Sequence, residues 1–428
     1  MPRSNKSLPQ LYLFFLFAFA LPVVSEPIVI TGASTPSLLG KSIDNIRIIN
    51  GRGKPIPFQI DELTPEGEYV CFRGDSPNND ESNGILDSID EIVFLRKDCS
   101  PIEMFQNPAI TQNSTAVFEK IEIGTGEGTK IAYISNDTSI TLSPYSYIQY
   151  DPVKQKIRTP WYYAVFGKDR FHFTHAGVKE KGTPGYIDLT RELRLKIYLN
   201  ALWGLLSIQY NEESLVCKVK RYKIGPIRLI RRGDLYLKLG LILKANSAAV
   251  NQICYPQMVR VPVYVHLPVR FKSFLREAYI EMTPVISEKG KEYDFTIPEK
   301  NITFPLTENT PLDTLIPVMP NNSYFSVTNG LSGYGWLVNS DMQNRYLDGS
   351  GFLISSPSDR GGIAHCGFRL NVHDMPRGYY LITNWVLFSN RGKSGFVSLR
   401  NSLNSLTRIS TETATVPNAV KIVHVGHK

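Results

Sequence analysis

Helical periodicity is what this 428-residue chain has least of. Few segments carry apolar residues at three-and-four spacing over three turns, and 31 glycines and 28 prolines recur throughout, which speaks against a helical bundle. No internal repeat is visible. Beyond the N-terminal segment no apolar run approaches the roughly 20 residues that a membrane-crossing helix needs, so the mature chain is expected to be soluble. Cysteine is sparse, at five residues, and none stands where a lipoprotein anchor would need one. The closing "VGHK" offers no apolar tail for a C-terminal anchor. No H-E-x-x-H motif and no nucleic-acid-binding motif is present.

What is present begins with Arg3 and Lys6, followed by "LYLFFLFAFALPVV" and the small residues of "VVSEP". That order reads as a secretory signal over residues 1–25, cleaved after Ser25. The expected address is secreted, in the periplasm or at the cell surface if the source is bacterial. Disulfides persist there, and sequence order suggests Cys71 with Cys99 and Cys217 with Cys254, leaving Cys366 over.

Short runs rich in β-branched and aromatic residues fill much of the chain, among them "NIRIIN", "EIVFL", "KIAYIS", "VPVYVHL" and "GYYLITNWVLF". They predict an all-β protein of two or three β-sandwich-like modules. "RELRLKIYLNALWGLLSIQY" is the best helical candidate, yet it also divides into two strands. Polar or Pro-containing stretches near 135–145 and 296–311 suggest modules over 26–135, 136–300 and 301–428.

Charge is unevenly placed. Residues 217–232, "CKVKRYKIGPIRLIRR", hold seven basic residues and no acid, whereas residues 61–91 hold ten acids against Arg73 alone. Two neighbouring strands would display Lys218, Lys220, Arg228 and Arg231 as a patch for an anionic glycan or envelope polymer. The alternatives are a solvated face, or a seam that binds the acidic segment of the same chain.

Within that acidic segment, "NNDESNGILDSIDE" (78–91) is spaced like a calcium loop. Numbered from Asn79, it puts Glu81 at position three, Asn83 at five, Gly84 at six, the Ile85 carbonyl at seven, Asp87 at nine and Asp90 at twelve. A hard cation wants six to eight oxygens, so alternate side chains must point inward while glycine permits the sharp turn. Leu86 is placed to pin the loop to a core. Asn at position one and the longer Glu at three predict loose Ca²⁺ binding. The same letters also describe an Asx-rich turn held by side-chain to backbone hydrogen bonds.

"GKPIPFQIDEL" (53–63) followed by "NGILDSIDEIVFL" (83–95) resembles secreted bacterial β-modules of largely unassigned function. These pair a P-x-Q-[IL]-D-E stretch with an N-G-x-[IL]-D-x-x-D-E loop, and some similar proteins accompany polysaccharide-degrading enzymes. The resemblance covers about 40 residues. It implies a secreted β-module with a calcium-type loop and supplies no catalytic residue.

Other reactive groups are weaker candidates. Asp61 and Glu62 are adjacent, so on a strand they face opposite ways and do not form an acid and base pair. His172 and His175 in "FHFTH" face opposite ways too. His365 beside Cys366, and His373 beyond, raise the question of a nucleophilic thiol with a nearby base. "TPWYYAVF" and "GYYLITNW" are aromatic enough to stack on sugars, though at strand period such clusters mostly fill cores. The sequence therefore points to a non-catalytic binding or architectural protein, with a polysaccharide-active enzyme (lyase or glycoside hydrolase) working on a concave β-face as the alternative.

Overall fold

Alternating apolar and polar residues become antiparallel strands along most of the chain. The computed structural model describes residues 26–104, 117–287, 293–306, 314–318, 323–355, 364–391, parts of 395–403 and 420–424, apart from a few short internal stretches. The expected signal at 1–25 lies outside the described residues. The all-β class holds: the described strands assemble into four sheets, of three, five, ten and eleven strands.

The two small sheets belong to the N-terminal part. Glu91–Leu95 runs between Pro27–Thr31 and Phe58–Asp61 in one. In the other, Gly128–Ser135 runs between Arg47–Asn50 and Phe118–Thr125, and Val420–His424 adds to the far side of Phe118–Thr125. Ile30, Ile48, Ile92, Phe94, Ile121 and Ile134 close a core between them.

The two large sheets face each other as a sandwich. At the centre of the ten-stranded sheet, Ile187–Ala201 pairs with Leu275–Ile286, and at the centre of the eleven-stranded sheet Met258–Leu267 pairs with Gly378–Ser389. The eleven-stranded sheet is covered on both faces, and strand alternation shows how. Leu229, Cys254, Val259, Phe325, Trp336 and Val386 pack into the core shared with the ten-stranded sheet. Their chain neighbours Ile230, Ile253, Met258, Tyr324, Leu337 and Trp385 pack on the opposite face, with Val93 and Leu95 of the N-terminal part and with Phe396, Leu399 and Leu403.

Two expectations are corrected here. The stretch near 296–311 is no linker: Tyr293–Ile297 and Ile302–Leu306 form a hairpin, closed by a turn from Pro298 with Asn301 in the left-handed region at φ 52°. Both large sheets take strands from either side of residue 300, so 136–300 and 301–428 interleave in one sandwich. The helical candidate is a hairpin of Ile187–Ala201 and Leu206–Asn211.

The expected disulfides are not formed; all five cysteines are buried and no disulfide joins them. Cys217 lies opposite Leu235 and Cys254 opposite Leu229 on the strand between them. That offset, from 229 to 235, amounts to about 20 Å along a strand, whereas a bridge needs Cα atoms within roughly 7 Å. Cys71 and Cys99 sit in different cores, one against the sandwich and one inside the N-terminal part. Burial raises the Cys71 and Cys254 thiols to about 12 and pushes Cys99 higher still.

Candidate functional site: an acidic loop, a charged seam and an apolar cavity

The acidic loop is held by its own hydrogen bonds. Glu62, just past the Phe58–Asp61 strand, accepts the N–H groups of Asn83 (3.1 Å) and Gly84 (3.0 Å) and the Ser82 hydroxyl (2.8 Å). Asp90 accepts the Leu63 N–H at 2.9 Å with one oxygen and the Asp87 N–H at 2.7 Å with the other. Asn83 accepts the Ile85 N–H (2.8 Å) and donates its amide to Asp87 (2.7 Å). Asn79–Glu81 form a 3-10 turn, and Glu81 takes the Asn78 amide at 3.0 Å. Gly84 has φ 68°, the left-handed conformation that a side chain would strain, and Leu86 is fully buried in the core as expected. Ile85 is exposed.

This is the Asx-turn arrangement. Of the carboxylates in the calcium spacing, Asp90 is turned to backbone N–H groups, while Asp87 and Glu81 accept the side-chain amides of Asn83 and Asn78, and among the described residues no three acidic, His or Cys side chains stand close enough to hold a metal. Burial raises the Asp90 carboxyl, although the Asp87 and Leu63 N–H groups pull it down.

The basic stretch is a seam, not a patch. Arg228 and Arg231 have no exposed surface. Arg228 binds Asp61 at 2.8 Å, Glu91 beside it and the Tyr255 hydroxyl at 3.0 Å, with its guanidinium 5.2 Å from the centre of the Tyr69 ring. Lys223 reaches the other Asp61 oxygen at 2.9 Å. Glu68 takes Arg221 at 2.7 Å and Arg232. Lys218 and Lys220 lie nearer the surface, at 3.5 Å from Asp75 and 3.6 Å from Asp234. Burial alone would raise the Asp61 carboxyl, but Lys223 and Arg228 bring it below its ordinary value. Gly225 is required here, because a Cβ would lie 2.0 Å from the Gln59 amide oxygen, and that oxygen accepts the Arg228 N–H at 3.0 Å. Arg231 points the other way, into the sandwich, where it binds Gln155 at 2.8 Å and lies over the Phe166 ring.

The reactive residues do not converge. His365 and Cys366 are neighbours on one strand and so face opposite sides, and burial pushes the Cys366 thiol far up. His373 is taken by the Leu275 carbonyl (3.0 Å) and Asp374 (3.2 Å). Asp61 serves the seam and Glu62 the loop. His175 is exposed. Of the aromatic stretches, Tyr162, Phe166 and Trp385 are core, while Tyr379 is exposed and stacks on His266.

Between the two large sheets lies a feature that the sequence reading missed, an apolar cavity of about 260 Å³. One wall is the ladder of Ile197, Ile280 and Leu370, with Leu195, Met282 and Phe368 in the next row. Val259, Val261, Val263, Ile382 and Val386 form the facing wall. Trp336 and Val259 are buried at one end, and half-buried Leu215, Leu235 and Val263 line the other. Four polar side chains share the lining, Gln252 among them, and Trp336 Nε1, Asn384 Oδ1 and His172 Nε2 are buried without a hydrogen-bond partner. Each such orphan costs ~1–3 kcal/mol. Burial, with Arg170 nearby, lowers His172 to about 4, so it is neutral at pH 7.

No family model and no curated protein matches the chain. Among solved structures it is similar to an alpha-mannosidase from Enterococcus faecalis V583, at 6% identity and a TM-score of 0.44, over 89% of this chain and 43% of that one. A protein in the glycosyl hydrolase family 38 from Enterococcus faecalis gives 6% identity and a TM-score of 0.42, over 84% of this chain and 40% of that one. The chain thus spans less than half the length of either. Overlap this loose carries no function across.

Proposed function

We propose that the protein is a non-catalytic binding protein that takes a small apolar ligand between its two large sheets. The observation that carries this reading is the cavity itself, about 260 Å³ and walled almost wholly by Val, Ile, Leu, Met and Phe. A cavity of 150 Å³ lined in this way stays dry and takes up benzene, so this one has room for a larger apolar molecule or the end of an acyl chain. Half-buried residues at one end supply an entrance, and fully buried ones supply a floor. The signal-like leader and the likeness of the "PFQIDE" and "DSIDE" stretches to secreted bacterial modules support an exported protein. An anionic glycan finds less support, since Arg228 and Arg231 are buried and Lys218 and Lys220 each meet a carboxylate. The polysaccharide-active alternative finds less support, since Asp61 and Glu91 are both taken up by buried Arg228.

The test is titration with an environment-sensitive naphthylamine dye. Saturable enhancement at one dye per chain is expected. Fluorescence that rises without saturation, as for non-specific surface adsorption, would overturn the reading.

A further inference from the structure

Resting on that reading, we infer that the ligand is a neutral apolar alcohol, whose hydroxyl is bound by Trp336 and Asn384 at the wall of the cavity. Trp336 lies opposite Val386, and Asn384 opposite Val338, on the adjacent strands Gly333–Ser340 and Gly378–Ser389. The two are therefore diagonal neighbours on the inner face of one sheet, roughly 7–8 Å apart at the backbone and within joint reach of a single small group. Both line the cavity. Trp336 is 1% and Asn384 7% exposed.

Their orphaned atoms are complementary. Trp336 Nε1 is a donor without an acceptor, and Asn384 Oδ1 an acceptor without a donor. A hydroxyl supplies both functions from one oxygen, accepting from the indole and donating to the amide. A carboxylate does not suit the place. The lining has no Lys or Arg, His172 is neutral at pH 7, and a buried anion without a cation is strongly disfavoured. An alkane fills the space but leaves both polar atoms unpaired, and sites built to bind a hydroxyl discriminate sharply against analogues that lack it.

The experiment displaces the naphthylamine dye from the full mature chain with 1-octanol, octane or sodium octanoate. The comparison is stringent because octane is the more hydrophobic of the neutral pair, so apolar transfer alone would favour it. We expect octanol to bind at least about tenfold more tightly than octane or octanoate. In Asn384→Leu and Trp336→Phe that preference should vanish while octane still displaces the dye, which also shows that the variants are folded. Wild-type protein that binds octane as well as octanol would overturn the alcohol assignment and leave the apolar cavity standing. A preference that survives in both variants would overturn the role of these two side chains. Failure of all three compounds to displace a saturably bound dye would overturn both the assignment and the cavity as the site.

Discussion

Arg228 shows how far a single residue's role depends on what covers it. It is fully buried between Asp61 and Glu91, so Arg228→Ala leaves Glu91 without its cation and Asp61 with Lys223 alone, and is expected to cost about 3–5 kcal/mol in urea denaturation. Lys218→Ala, at an exposed pair, should stay within about 0.5 kcal/mol. His172 makes a second residue-scale prediction. Its folded value near 4 lies below the unfolded value of about 6.5, so between these the unfolded chain binds more protons. Stability should therefore fall as pH drops from about 6.5 to about 4, and His172→Phe should reduce that slope when urea midpoints are followed against pH. The opposing charges of residues 61–91 and 217–232 were legible in the sequence, as was a seam between them. Which arginines are buried was not, because alternation assigns residues to two faces without saying that both faces of this sheet are covered.

At the scale of elements, strand identity was readable from β-branched alternation, while two boundaries were not. "TIPEKNITFP" has the composition of a linker, yet Asn301 in the left-handed region turns it into a hairpin. The loop at 78–91 carries letters that serve a calcium cage and an Asx turn equally well. What separates them is Glu62, outside the loop's own spacing, which takes up the N–H groups of Asn83 and Gly84. We propose that a loop satisfied in this way gains nothing from Ca²⁺, whereas a ligand that binds only the folded state would raise its stability. Melting temperatures in EDTA and in millimolar Ca²⁺ should therefore coincide. A rise of several degrees with Ca²⁺ would restore the cation reading.

For the whole molecule, the decisive feature arises between segments far apart in the chain. The cavity walls come from segments between residues 172 and 386, and each of those strands alone reads as ordinary sandwich core. Nothing in their spacing announces that Val at 259, 261 and 263 leaves a space between the sheets. The same interleaving ties residues on both sides of 300 into one sandwich and brings Val420–His424 back to the N-terminal part. The most direct measurement is therefore a comparison of dye titrations for wild type and Val261→Phe, whose larger side chain occupies the cavity. The account predicts saturable one-to-one binding by wild type and at least a tenfold loss in a variant that melts no lower. Equal dye affinity in a folded Val261→Phe protein would contradict it.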